Sequence, residues 1–339
     1  MKLNLEQIKA VTNGAVKIIE ENGAYKFFRF TEEQTEAYKT RSGYEKAFAT
    51  AGVKIRFKTD SKKLFLKVNT LEGGSSRSFF AFEILKDKKT IGYIKNFEET
   101  TLPEDYLSFN FPLGEFSGEF ELGDGEKCIE IDFPWSVRAE LLELSLDDGS
   151  VMLPVKKSNK LIAYGDSITH GYDALYPTNR YISKLSEALD ADETNKAIGG
   201  EMFYPAVASK KDDFDPNYIT IAYGTNDWCH CGSYEQIFNN CKEFCKGISE
   251  NYPTSKIFVF SPIWRKESTE KKPTGEFRGL IDMIKNATSE FKNITVIDCY
   301  DFVPKESKYF SDLRLHPNDE GFKHYANQLI VKIKEEMNK

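Results

Sequence analysis

Lys160-Leu161-Ile162-Ala163-Tyr164-Gly165-Asp166-Ser167-Ile168-Thr169-His170-Gly171 sets a short apolar run directly before a polar, glycine-bounded turn. Such a run, ending in turn residues, reads as a buried strand. The scheme returns downstream. YITIAYG (218–224), KIFVFSP (256–262) and ITVIDCY (294–300) read as further strands. Between and after them, residues 179–189, 233–251, 277–291 and 319–337 carry helical spacing of apolar positions. Strands alternating with helices predict a parallel sheet covered on both faces, an α/β/α three-layer arrangement. In such sheets the active site forms beyond the carboxyl ends of the strands, so the residues after each strand carry the functional question.

Upstream the pattern differs. Residues 53–70 (VKIRFKTDSKKLFLKVNT) alternate apolar and polar positions around Thr59-Asp60-Ser61. Residues 78–97 repeat this scheme, and residues 118–135 do so around Gly123-Asp124-Gly125. Each predicts a β-hairpin, and residues 139–149 predict a last strand. The whole predicts a β-sandwich of jelly-roll type over residues 1–153, followed by the α/β domain over 154–339. Residues 1–25 add a helix or an edge element. A chain of 339 residues suits two such domains.

The formal net charge is -7 and the basic residues are scattered, which speaks against nucleic acid or an anionic membrane as partner. No stretch approaches the roughly 20 apolar residues that span a bilayer. The N-terminal segment has no continuous apolar core before a cleavage site, so a cytoplasmic location is expected. The six cysteines show no disulfide framework, and reduced thiols fit that expectation. Aromatic residues make up 14% of the chain, which accommodates a sugar-stacking surface as readily as a core.

Four blocks carry candidate chemistry. Gly165-Asp166-Ser167 sets a serine in a turn at a strand end, although an Asp-Ser turn also reads as a helix cap. Gly199-Gly200 lets a backbone N–H approach a ligand, or simply makes a tight turn. Gly224-Thr225-Asn226-Asp227 puts a side-chain amide at a strand end, where it donates to a developing oxyanion or closes an Asx-turn. His316, before Pro317-Asn318, stands in an exposed polar loop ahead of the final helix, where an imidazole can serve as a base, although a lone histidine more often has a structural role.

In their order and placement, these blocks resemble the SGNH (GDSL-type) hydrolase superfamily over roughly residues 158–335. The resemblance implies Ser167 as nucleophile, His316 as general base, and an oxyanion hole formed by Gly200, Asn226 and the Ser167 backbone. It also exposes a departure. The family's acid usually stands three residues before the histidine, where this chain has Leu313, and Asp312 stands four before. Either a bulged loop lets Asp312 orient the ring, or a Ser–His dyad works with a backbone carbonyl. A β-sandwich ahead of such a domain resembles family 2 carbohydrate esterases. That likeness implies an O-acetylated carbohydrate substrate, such as xylan- or mannan-derived oligosaccharides, and no cofactor.

Trp228 follows the oxyanion block and either floors a sugar subsite or packs in the core. His170 and Tyr172 follow the nucleophile and are expected at the mouth. Trp135 and Trp264 have no assignable role. Cys229-His230-Cys231 with Cys241 and Cys245 lacks the paired spacing of a zinc site, so no metal is expected. Asp212, Asp213 and Asp215 read as a solvated acidic loop. Two rivals stand beside the carbohydrate esterase: a lipase or thioesterase acting on a non-sugar ester, and a carbohydrate-binding protein with a decayed esterase half. The sequence leaves a homo-oligomer open.

Overall fold

The computed structural model describes residues 1–98 and 111–339. Among these, the first part is a pair of antiparallel sheets packed face to face. One sheet runs in the order Lys17–Glu21, Ala24–Phe28, Arg138–Leu146, Lys63–Leu71, Gly114–Glu121. The other runs Thr12–Asn13, Lys54–Thr59, Lys127–Asp132, Ala81–Lys86, Lys89–Lys95, with Met152–Pro154 also pairing on Lys54–Thr59. Ile55, Phe57, Leu64, Leu66, Val68, Ile129 and Ile131 interdigitate between the sheets, fully buried. A short helix, Leu5–Val11, starts on an Asn4–Gln7 capping box and closes one end.

Two of the three expected hairpins are not hairpins. Lys54–Thr59 and Lys63–Leu71 lie in opposite sheets, and so do Gly114–Glu121 and Lys127–Asp132. Alternation tells which residues face the core but not which strand is the partner. At the first crossing the backbone N–H groups of Lys62 and Lys63 donate to Asp147 Oδ2, at 2.7 and 3.3 Å, which turns the chain over instead of back. The middle expectation holds: Ala81–Lys86 pairs with Lys89–Lys95. Asp87 and Lys88 adopt φ of +48° and +67° in its turn, as a two-residue connection of this hand requires.

The second part is a parallel sheet in the order Ala191–Asn195, Asn159–Gly165, Tyr218–Ala222, Lys256–Phe260, Ile294–Ile297. Its strands other than the polar edge strand Ala191–Asn195 are largely apolar on both faces because helices cover both. Tyr181–Ala188 and Asp319–Met337 pack on one face, against Leu161, Ala163, Phe258 and Phe260. Tyr234–Asn251 and Leu280–Thr288 pack on the other, against Ile162, Tyr164, Ile219 and Ile221. Cys241 and Cys245 face this second core.

The two parts are joined by buried polar contacts. Lys54–Thr59 is buried on its outer face too, where Arg56 meets Asp192 at 2.7 Å. The wholly buried Arg29 guanidinium donates to the carbonyls of Asn195 and Ala197, at 2.6 and 3.2 Å, and to those of Lys46 and Ala49. Burial, and then the nearby Arg180 charge, lower its pKa to about 9. Asp212 is not solvated as expected. It is buried, 2.6 Å from the equally buried Lys196, and both contact Gln34 of the sandwich. A cation inside the interface explains why this acid turns inward while Asp213 and Asp215 remain exposed.

Candidate active site

The strand Asn159–Gly165 ends where the chain folds back tightly. A Cβ on Gly165 would stand 2.2 Å from Thr169 Oγ1, so only glycine fits. Asp166 then caps the single helical turn Ser167–His170, its Oδ1 accepting from the Ile168 N–H at 2.9 Å. The cap reading and the nucleophile reading are therefore compatible, since the aspartate caps and leaves the serine at the first helical position.

Ser167 Oγ lies 2.8 Å from His316 Nε2 across the rim of the sheet. On the other side of the ring, His316 Nδ1 lies 2.8 Å from Asp312 Oδ2. Asp312 Oδ1 accepts from the backbone N–H groups of Arg314, Leu315 and His316 at 3.0, 2.7 and 3.1 Å. Burial pushes this carboxyl's pKa up, but the imidazole and these N–H donors outweigh burial and hold it well below the usual range. The additional residue between acid and base is taken up by Leu313, which adopts φ +59° and turns its side chain outward.

The next two blocks follow the strands on either side of Asn159–Gly165 and contact each other. Gly200 has φ +85°, a left-handed conformation that suits glycine. Asn226, in the first turn of Thr225–His230, donates from Nδ2 to the Glu201 carbonyl at 3.0 Å, which leaves its second N–H to donate elsewhere. Asp227 ties the blocks together by accepting from the Phe203 and Gly224 N–H groups at 3.1 and 3.0 Å. Burial raises the pKa of Asp227 to about 7 and that of Asp166 to about 6.

Trp228, a subsite floor or a packing residue by sequence, and His170, expected at the mouth, both lie in the interior. Trp228 is fully buried, its Nε1 donating to the Gly275 carbonyl at 2.9 Å and its ring edge-on to Phe277. The helical turn that presents Asn226 points the following indole inward, so the packing alternative is correct. His170 is also buried, with Nε2 2.9 Å from the Trp135 carbonyl. Burial, and then the Arg29 charge, hold its pKa well below the usual value. Tyr172 does reach the site, as a wall: its ring lies tilted against His316 with centroids 5.8 Å apart.

Sequence reading missed four residues here. Trp135, from the sandwich, packs on Tyr172 and donates to the Ala174 carbonyl at 2.8 Å. Lys46 of the sandwich donates to the Gly199 carbonyl at 2.8 Å, beside the oxyanion block. Arg77, also of the sandwich, grips Asp173 with Nε–Oδ1 3.0 Å and Nη2–Oδ2 3.2 Å. Only Asp173 left a local signal, standing six residues after Ser167.

With this geometry in view, the comparisons are specific. Residues 163–324 match the GDSL-like lipase/acylhydrolase family. The second part of the chain is a domain of that family. It is therefore an ester-hydrolase domain, of the SGNH superfamily. Its arrangement behind a β-sandwich is shared with several solved structures. A salicylyl-acyltransferase, SsfX3, from a tetracycline biosynthetic pathway is 18% identical with a TM-score of 0.76, covering 93% of this chain and 91% of its own. A GDSL-like lipase from Bacteroides ovatus is 17% identical with a TM-score of 0.73, covering 98% of each chain. A family two carbohydrate esterase from Cellvibrio japonicus is 14% identical with a TM-score of 0.68, covering 98% of this chain and 97% of its own. No curated protein sequence matches the chain.

Proposed function

We propose that the protein is a serine esterase that removes O-acetyl groups from carbohydrate through an acyl-enzyme on Ser167. The observation that carries this is the unbroken relay Ser167 Oγ–His316 Nε2–His316 Nδ1–Asp312 Oδ2, with both links at 2.8 Å. His316 Nε2 takes the hydroxyl proton as Oγ attacks the acetyl carbonyl. Negative charge gathers on the former carbonyl oxygen, facing the N–H groups of Ser167 and Gly200 and the free N–H of Asn226. Removing one such donor typically costs about 2.7–4 kcal/mol. The imidazolium returns its proton to the sugar oxygen as the tetrahedral intermediate collapses, and acetyl stays on Oγ. Water, deprotonated by the same nitrogen, then frees acetate. Asp312 holds the ring in the tautomer with Nε2 open and stabilises the imidazolium.

The sugar assignment is supported by the shared two-part architecture. Proteins with this fold include a family two carbohydrate esterase from Clostridium thermocellum in complex with cellohexaose and an acetyl xylan esterase from Butyrivibrio proteoclasticus. Acetylated xylo- or manno-oligosaccharides should release acetate with the native protein, and Ser167→Ala should lower kcat about 10⁴-fold or more. Preference for long-chain esters with no acetate released from sugars would overturn the substrate assignment.

The overlay with SsfX3 favours one second reading, cleavage or transfer of an acyl group on a non-sugar substrate. Both readings pass through an acyl-enzyme on Ser167; cleavage differs in the ester that forms it, and transfer in the acceptor that attacks it. Transesterified product in place of free acetate, when an alcohol acceptor is supplied, favours transfer.

A further inference from the structure

We infer that Arg77, carried by the β-sandwich, is a positioning residue for the imidazole of the catalytic half; this rests on the reading of His316 as the base. The loop that delivers it is built for close approach. A Cβ on Gly73 would stand 2.2 Å from the Ser136 carbonyl oxygen, and one on Gly74 would stand 2.7 Å from Glu45 Cβ. Only a glycine pair lets residues 73–77 lie this flat against their own domain and reach over its edge.

Among the described residues of the catalytic half, the guanidinium meets three groups at once. It forks onto the Asp173 carboxylate. Its plane lies over the Tyr172 ring, 4.9 Å from the centroid. Its Nη2 comes within 3.5 Å of His316 Nδ1, the nitrogen that also faces Asp312. Asp173 is wholly buried, with Oδ2 3.9 Å from that same nitrogen, and holds φ +74°. Two carboxylates therefore face one edge of the imidazole. Asp312 is bonded to it, whereas Asp173 is turned to the arginine.

That division has chemical meaning. A ring with two carboxylates competing for Nδ1 has two orientations and an imidazolium too stable to release its proton. Arg77 removes the competition by occupying Asp173 and by placing a positive charge beside the ring. It also presses Tyr172 against the imidazole face. Among the described residues, the groups around His316 are Asp312 on its own loop, Ser167 and Asp166 on the nucleophile turn, Tyr172 and Asp173 on the following loop, and Arg77. Arg77 is the one permanent cation in that set.

The test is the pH dependence of Ser167 labelling by a sulfonyl fluoride, which needs no knowledge of the natural substrate. It is run on the full chain as native protein, Arg77→Ala, Arg77→Lys and the double variant Arg77→Ala with Asp173→Asn. In Arg77→Ala, Asp173 turns to the imidazolium, and the acid limb should move up by about one pH unit. Arg77→Lys keeps the charge and loses the fork, so the limb should stay while the plateau rate falls. The double variant should return the limb toward its native position. An Arg77→Ala limb that coincides with native, with Ser167→Ala unlabelled and His316→Ala labelled far more slowly, overturns the role of Arg77 and leaves the Ser167–His316 assignment standing. Undiminished labelling of His316→Ala overturns the assignment itself. Circular dichroism of each variant separates misfolding from a shifted limb, and if Arg77→Ala does not fold, Asp173→Asn alone decides. Its limb should then move down, and an unmoved limb overturns the inference.

Discussion

Two regions of this molecule, the strand ends of the α/β half and the face it shares with the sandwich, treat their buried charges differently. At the strand ends of the α/β half, Asp166 and Asp227 sit in the interior with backbone N–H groups as their hydrogen-bond partners. Along the face where the sandwich meets that half, buried acids and bases come in pairs: Lys54 with Asp132, Arg56 with Asp192, Lys196 with Asp212, Arg77 with Asp173. The first arrangement shapes loops around a reaction. Two of these pairs, Arg56 with Asp192 and Arg77 with Asp173, cross from one domain to the other and hold them in place, because a buried ion that loses its partner costs several kcal/mol. Function at the site draws on both, local loop chemistry from one region and docking precision from the other.

Three substitutions break or sharpen this contrast. The largest effect belongs to Asp312→Ala, which removes the carboxylate that orients His316. We expect kcat to fall about 10³–10⁴-fold with folding intact. Near-native turnover would instead mean that a Ser–His dyad suffices and that the outward-turned Leu313 conformation serves only the loop.

Arg29→Met probes the docking face. It leaves the carbonyls of Lys46, Ala49, Asn195 and Ala197 without their buried donor. We expect a loss of about 3 kcal/mol in urea unfolding, with the pH profile of turnover unchanged. A variant as stable as native would show that the interface does not depend on this cation.

The smallest effect is the pH dependence of stability carried by Asp227. Its folded pKa, about 7, lies above the unfolded carboxyl value. The folded state thus binds more protons between the two. This contribution is complete below about 3.9 and is lost as pH rises through 7. Asp227→Asn should flatten that fall. The difference in urea midpoint between native and variant, followed from acid to neutral pH, measures it, and a constant difference would mean the carboxyl titrates normally.

Much of this was legible in the sequence, and the reasons it stopped are physical. The strand-and-helix alternation after residue 158 carries its own periodicity, so the parallel sheet and its strand ends could be read directly. Ser167 and Asn226 sit in short polar blocks at such ends and His316 in a polar loop before the last helix; each block was ambiguous alone, and their order, through the family resemblance, marked them. The sandwich was legible as strands but not as pairings, since inward and outward alternation is identical for a hairpin and for a chain that crosses between sheets. Trp228 and His170 follow functional blocks, yet helical turns rotate them inward, which adjacency in sequence does not reveal. Arg77 had no signal at all. It stands 239 positions from His316 along the chain, and only the docking of the halves brings them together.

Leu313 carries one last consequence. By swinging a single residue outward, the loop keeps the acid at hydrogen-bonding distance although the chain between acid and base has grown. The relation that matters is therefore a position in space and not a count of letters. A search for kindred enzymes that insists on the three-residue interval will pass over chains wired like this one, and an aspartate one step early followed by an outward-facing bulge residue is the pattern that finds them.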